Sequence, residues 1–265
     1  MKIILEPKVK LVSVQNFMPH PTYEIPFDEE QNYAHQLIAF AGKGCYDSYG
    51  KDGRPIEEHI RSLLASKHGS VIEHYHVSLF IEGISRGCSH EIVRHRHFAF
   101  SQRSTRYTAE DNAAIVLEPY YAELYKEEQV GSPELGKLQF KNELLNTFLV
   151  SCERSIQEYK KTVELLLEKA PNHLNKTERR KWARGKARQL LPHALETRIT
   201  MTGNLRAWRW FLESRGSRHA EAEIRRLAYY IFKELRGIAP LIFEDFATVD
   251  LQDGTLELVA GYNKI

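Results

Sequence analysis

The stretch Glu91–Thr108, "EIVRHRHFAFSQRSTRYT", sets four arginines and two histidines among three aromatic rings, Phe98, Phe100 and Tyr107. Ser101, Ser104 and Thr105 lie between them. Charge this dense is costly to bury without partners. Two kinds of ligand would account for it: the phosphates of a polymer, or the phosphates and rings of small nucleotides. On a continuous helix Arg94 and Arg96 would stand about 200° apart and could not share a ligand. They converge only where a helix ends and successive side chains fan out around its last turn. The stretch therefore predicts a short helix, Arg86 to about Arg94, followed by a ligand-wrapping loop. Arginine's planar fork suits bidentate phosphate or imide contacts, and the hydroxyls suit the remaining oxygens.

Outward from this stretch, the chain alternates helical and strand patterns. Upstream, "YHVSLFIEGIS" sets Val77, Leu79 and Ile81 against Ser78, Phe80 and Glu82, a half-buried strand. "RPIEEHIRSLLASKHGS" reads as a helix entered at Pro55, with Ile56, Ile60, Leu63 and Leu64 on one face and Gly69 as its stop. "DEEQNYAHQLIAFAGKGCY" carries Tyr33, Leu37, Ile38 and Phe40 at helical spacing and ends at Gly42 and Gly44. Residues 2–14 alternate as one strand.

Downstream, 109–142 is polar with Gly and Pro and predicts an insertion or flexible excursion. From Glu143 the apolar stripe Leu145, Phe148, Leu149, Cys152, Ile156, Tyr159, Val163 and Leu166 predicts one long helix, ended at Pro171. A further helix follows through Trp182, Ala187 and Leu190. "ETRITMTGN" reads as a strand, and Gly203-Asn204 opens a helix that continues or restarts at "SRHAEAEIRRLAYYIFKELRG". The pattern predicts an α/β (mixed α+β) fold in one domain spanning 1–265, with a central antiparallel or mixed sheet flanked by long helices.

Composition narrows the function. The formal charge of +2 makes the arginine cluster a local feature. A protein that tracks a nucleic acid usually carries a larger basic excess. Cys45, Cys88 and Cys152 stand far apart, which predicts neither a metal site nor a disulfide framework and suits a reducing cytoplasm. "MKIILEPKVKLVSV" reads as a strand, since its apolar run is too short for a signal peptide. No run approaches the roughly 18 apolar residues of a membrane span.

The spacing R-H-R, seven residues, Ser104, with Arg106 and Tyr107 following, resembles the signature of the flavin-dependent thymidylate synthases. "HGSVIEHYHVSLFIEGISR" resembles that family's strand and the His-x-x-x-x-Glu-His segment before it. "ARQLLPHALETRITMTGNLRAWRWFLESRGSRHAEAEIRRLA" resembles its C-terminal nucleotide-binding segment. The resemblance implies a cytoplasmic homotetramer with active sites at subunit interfaces. It implies methylation of dUMP at C5, with methylenetetrahydrofolate as carbon donor, FAD as hydride carrier and NADPH as reductant. It places Arg94, His95 and Arg96 on FAD, with Arg94 also near dUMP, and Gln102 between both ligands. Glu91, Ser104, Thr105, Arg106, Arg188 and Arg215 fall on dUMP. His68 and Ser70 fall near the isoalloxazine, Asn204, Leu205 and Arg206 on a neighbouring subunit's flavin, and Trp210 at a further flavin position. Arg215 is the candidate catalytic group, because a guanidinium against O4 and N3 favours the anionic pyrimidine. Many members carry an acidic residue at the Gly185 position and histidine or asparagine at the Trp210 position.

Rival expectations attach to the same residues. The arginines could hold RNA or DNA phosphates, with Phe98, Phe100 and Tyr107 stacking on bases. A relative that leaves a hydroxymethyl group on the pyrimidine would carry the same arginines. His219 reads equally as a helical structural hydrogen-bonder, and His74 and His76 as core or supporting residues. Trp182 and Trp208 are expected in the core.

Overall fold

The alternation at 76–85 becomes strand β3 (His76–Ser85), with Val77, Leu79 and Ile81 fully buried. The computed structural model describes residues 1–25, 32–50, 53–110, 113–130 and 142–264. Residues 28–31 of the first expected helix and 131–141 of the expected excursion lie outside the described residues.

The expected strand over 2–14 is two strands, β1 (Lys2–Ile4) and β2 (Lys8–Val14), in different sheets. Pro7 lies in the break between them and has no N–H to continue a ladder. Helices α1 (Tyr33–Gly44) and α2 (Ile56–Ala65) follow. Then α3 (Arg86–Ile92), β4 (Ala99–Gln102), β5 (Ala114–Val116) and α4 (Pro119–Val130) lead to the long α5 (Glu143–Glu168). After α6 (Lys176–Ala187), β6 (Glu196–Asn204), α7 (Leu205–Arg215), α8 (Ala222–Ile238) and α9 (Pro240–Phe243), the hairpin β7 (Phe246–Asp250) and β8 (Leu256–Ala260) ends the described chain. The main sheet has the strand order β2-β3-β6-β4; β1 pairs parallel with β5, and β7 antiparallel with β8. The expected mixed α+β class is the one observed.

The described chain forms two compact units, each from discontinuous segments. One comprises Met1–Pro7, Glu82–Glu91 and Gln102–Ile199; the other comprises Lys8–Ile81, Ile92–Ser101 and Thr200–Ile265. Strands β3, β4 and β6 contribute residues to both.

In the first unit, Leu145, Leu149, Cys152 and Ile156 of α5 pack against Ala113, Ile115, Leu117 and Ala122. The segment expected to be an excursion therefore supplies part of a core. Each fully buried leucine there contributes roughly 1.5–3 kcal/mol. Helix α6 begins with a capping box between Asn175 and Glu178. Arg179 donates to the carbonyls of Leu167 and Pro171 at 2.9 and 3.2 Å, satisfying the end of α5.

In the second unit, α2 buries Ile56, Ile60, Leu63 and Leu64, the face read from sequence. The helix ends at Ala65, and Gly69 opens a separate 3-10 turn, Gly69–His74, instead of stopping α2. Trp208 is fully buried, its indole N–H donating to the Val77 carbonyl at 3.3 Å. Trp182, of the first unit, is half-buried beneath the Lys186 ammonium. His219 lies exposed in the turn between α7 and α8, outside any helix, and His74 and His76 are exposed rather than core.

Candidate functional site

Helix α3 stops at Ile92, and the His95 N–H closes the turn on the Ile92 carbonyl at 3.1 Å. The helix end that Arg94 and Arg96 need in order to converge is thus present. Both are exposed and line one open cleft of about 390 Å³ with Trp210 and Arg215. Arg215 is the last residue of α7, where the helix dipole favours a cation. Its Nε donates to Nε2 of His95 at 2.9 Å. An imidazole accepting there must be neutral at that nitrogen. Burial, then the Arg215 charge, lowers the His95 pKa from 6.5 to about 4. The Phe211 ring, 4.9 Å away centroid to centroid, closes the other side of His95.

Of the aromatics in the arginine stretch, Phe98 takes part in core packing. Phe98 meets Trp208 edge to face at 4.7 Å and lies over Gly203, where a Cβ would fall 2.4 Å from the ring. Tyr107 is exposed, with the Lys181 ammonium 4.6 Å over its ring. Part of the Phe98 ring is thus taken up by packing, while the ring still borders the open cleft.

A second open cleft in the same unit, about 480 Å³, is lined by Asn204, Arg206 and Trp210, together with Glu73, His97 and Lys264. Asn204 caps α7, accepting from the Ala207 N–H at 2.8 Å. Arg206 donates to Glu73 at 2.5 Å. Leu205, by contrast, is fully buried and its N–H donates to the Tyr75 carbonyl at 3.0 Å. Trp210 is half exposed and borders both clefts. Glu73 and Lys264 went unassigned from sequence. Glu73 was visible as the acid of the His68-to-His74 segment, while Lys264 is brought in only by the chain's end.

The first unit holds the other candidates. Gln102 donates to Ser89 Oγ at 2.8 Å and Thr197 Oγ1 at 3.2 Å. Ser104 to Arg106 form a tight turn in which Ser104 Oγ accepts from the Arg106 N–H at 3.3 Å. Thr105 is buried, and Arg106 is exposed beside Gly185 of α6. Arg184 donates to the Tyr107 carbonyl at 2.8 Å, and Arg188 caps the C-terminus of the same helix. Glu91 is half-buried and engaged. Arg103, not among the candidates, pairs with buried Glu110 at 2.8 Å and Glu196 at 3.2 Å. Its carbonyl accepts from Arg86 at 2.7 Å.

His68 and Ser70 are exposed at the start of the 3-10 turn. His68 lines a cleft of its own with Lys43, Arg54 and His59, apart from the cleft holding Arg94 and Arg215.

The model of the thymidylate synthase complementing protein family matches residues 29–241. The chain belongs to that family. It is 38% identical over 251 residues to a flavin-dependent thymidylate synthase of Mycolicibacterium gilvum, covering 94% of this chain and 93% of the relative. Flavin-dependent thymidylate synthases of Mycobacterium avium and Mycobacterium tuberculosis are each 36% identical over the same shares. The family resemblance read at Arg94–Ser104 is therefore correct. Among solved structures, a UMP/dUMP methylase, PolB of Streptomyces cacaoi bound with 5-Br dUMP, matches at TM-score 0.62 and 18% identity, covering 92% of this chain and 96% of that one. At that identity the likeness concerns the fold. Among the described residues, no helix is long and apolar enough to cross a membrane.

Proposed function

We propose that the chain is a flavin-dependent thymidylate synthase. It converts dUMP, methylenetetrahydrofolate, NADPH and a proton into dTMP, tetrahydrofolate and NADP+. One observation carries the reading: Arg94, Arg96 and Arg215 line a single cleft, and a neutral histidine holds Arg215 in place. The two clefts beside Trp210 offer guanidinium, amide and ammonium donors around a half-exposed ring, a donor set that fits a flavin with its diphosphate. Arg94 and Arg96 would hold it, with His68 and Ser70 near its ring and Asn204 and Arg206 reaching it from a neighbouring subunit of a homotetramer. Bound flavin supplies hydride chemistry that no side chain can.

The protein's own residues bind, orient and polarise. Ser104, Thr105 and Arg106, with Arg188, suit the nucleotide phosphate: hydroxyls and planar forks answer its oxygens. The Arg215 guanidinium charge favours the anionic form of the uracil ring whose C5 must become nucleophilic. His95 fixes the direction of that charge by accepting at Nε2 and adds no competing positive charge. A covalent thiol step finds little support. Cys88 and Cys152 are buried, and burial pushes the Cys152 thiol up to about 11.

Purified protein should show an oxidised flavin spectrum that dUMP perturbs, and should form dTMP from the three substrates. Colourless protein that takes up no added FAD would overturn the reading. Hydroxymethyl-dUMP as sole product would move it to the nearer rival.

A further inference from the structure

The turn Ser104–Arg106, which the proposed function sets against the nucleotide phosphate, lies inside a short loop whose two ends are paired to each other. Arg103 and Glu110 stand seven positions apart, with six residues, Ser104 to Ala109, between them. The Arg103 guanidinium reaches across that loop to the Glu110 carboxylate at 2.8 Å. Its other arm takes Glu196 of β6 at 3.2 Å. Both carboxylates are almost fully buried. Burial pushes the Glu110 carboxyl pKa up, and Arg103 and then Arg86 oppose that push. The backbone of Arg103 is held on both sides as well. Its N–H donates to the Arg198 carbonyl at 2.9 Å, and its carbonyl accepts from Arg86 at 2.7 Å. Glu196 is itself fixed, accepting from the Gly83 N–H at 3.4 Å and from Arg198 at 3.3 Å.

Between those ends the loop curls on itself. The N–H groups of Tyr107 and Thr108 donate to the Ser104 carbonyl at 3.3 and 3.0 Å, and Arg184 reaches the Tyr107 carbonyl from α6. Arg106 and Tyr107 are exposed. A loop held only by its own turn hydrogen bonds would sample many shapes, and the cost of ordering it would fall on ligand binding. A buried charged contact between its two ends removes much of that cost in advance. A network that served packing alone would need no pairing across the loop, since Glu196 already answers the Arg103 charge.

We propose that the Arg103–Glu110 pair is a clasp that holds loop 104–109 in its ligand-ready shape, which makes Arg103 and Glu110 positioning residues for the nucleotide phosphate. The family resemblance assigns neither of them a role. The inference rests on the proposed function for its ligand, but closure of the loop can be read without it. Glu110→Gln removes the charge of the clasp and keeps its shape. In calorimetric titration of dUMP into the holoenzyme, well below the unfolding transition, Kd should rise about tenfold, the equivalent of one charge-assisted contact. The kcat at saturating dUMP and the flavin absorbance per protein should stay within about twofold. Arg103→Lys, which retains a charge but loses the fork, should fall between wild type and Glu110→Gln. Tryptic cleavage after exposed Arg106 should be about tenfold faster in Glu110→Gln, matching the population of opened loop. Cleavage after Arg154, within α5, should change by less than about twofold.

An unchanged Kd for dUMP in Glu110→Gln overturns the proposal, whatever happens to Tm, because the network would then stabilise the fold and nothing more. Equal acceleration of cleavage after Arg106 and Arg154 does the same, since it reports general loosening in place of loop opening. Should Glu110→Gln not fold, Arg103→Lys carries both readouts, and wild-type values there overturn the clasp. If the wild-type holoenzyme binds no dUMP, the proposed function fails, and the two cleavage rates decide the clasp by themselves.

Discussion

Arg94 and Arg103 come from the same eighteen-residue stretch and serve opposite ends. Arg94 is exposed on a cleft and, like Arg96, makes no ion pair among the described residues. Arg103 is locked between Glu110 and Glu196, both nearly fully buried, and anchors the backbone of the Gln102–Arg106 segment through Arg86. On the proposed function one arginine keeps its charge for a ligand, while the other spends it on the fold. Identical residue types nine positions apart thus separate binding from positioning, and the separator is whether a carboxylate has been brought to them.

The largest test of that contrast falls on the cleft side. Arg215→Ala should lower kcat by about 10²–10³ while flavin absorbance per protein stays within a few per cent of wild type. Retained turnover would remove the ring-activating role. On the other side, Glu110→Ala leaves the two charges of Arg86 and Arg103 facing Glu196 alone in a largely buried setting. It should cost about 3 kcal/mol in urea denaturation, the range seen when one partner of a buried pair is removed. Arg94→Ala should stay within about 0.5 kcal/mol of wild type in the same measurement, yet weaken dUMP or flavin binding at least about tenfold. If Arg94→Ala destabilises as much as Glu110→Ala, the division between the two arginines collapses.

His95 links the two behaviours through pH. Its folded pKa, about 4, lies below the ordinary 6.5. The unfolded chain therefore binds the proton first as pH falls. The neutral-state contribution is intact above about 6.5, declines between 6.5 and about 4, and levels off below. At one pKa unit per 1.36 kcal/mol, the slope from His95 amounts to at most about 3 kcal/mol, less whatever solvent screening removes. His35, buried under α9 and also lowered to about 4, adds a slope of the same sign. Unfolding His95→Asn at pH 7 and pH 5 should show a smaller loss on acidification than wild type. An unchanged loss would mean the imidazole is not held neutral in the folded chain.

What the sequence revealed and what it hid follow the same division. Strand β3 and helices α2 and α5 were legible because a period of two or 3.6 writes burial directly into local order. The helix end that lets Arg94 and Arg96 converge was legible from the geometry of side chains two apart. Strand β4 was not, because Ala99–Gln102 sits among charged residues and is paired through the sheet rather than by its own periodicity. Arg103's role needs Glu196, ninety-three positions away. The core contribution of 113–122 is carried by only a few small or short apolar side chains, too few to outweigh the polar composition around them. The separation of His68 from the Arg94 cleft likewise depends on packing that local pattern does not encode.

The smallest effect concerns the neighbour of Arg106. Gly185 lies within α6, where glycine costs about 1 kcal/mol relative to alanine. A Cβ there would meet Arg106 Nε at 3.7 Å, ordinary contact, so no close approach demands the glycine. Gly185→Ala should therefore raise stability by about 0.5–1 kcal/mol with kcat within about twofold. Gly185→Asp tests the arginine contrast from the other direction. It brings a carboxylate to an arginine that makes no ion pair among the described residues and converts Arg106 toward the Arg103 condition. KM for dUMP should then rise by about two- to fivefold, because the nucleotide phosphate must compete with a resident anion. A fall in KM would mean that Arg106 gains more from being held in place than it loses in free charge, and that positioning and binding are not exclusive uses of one guanidinium.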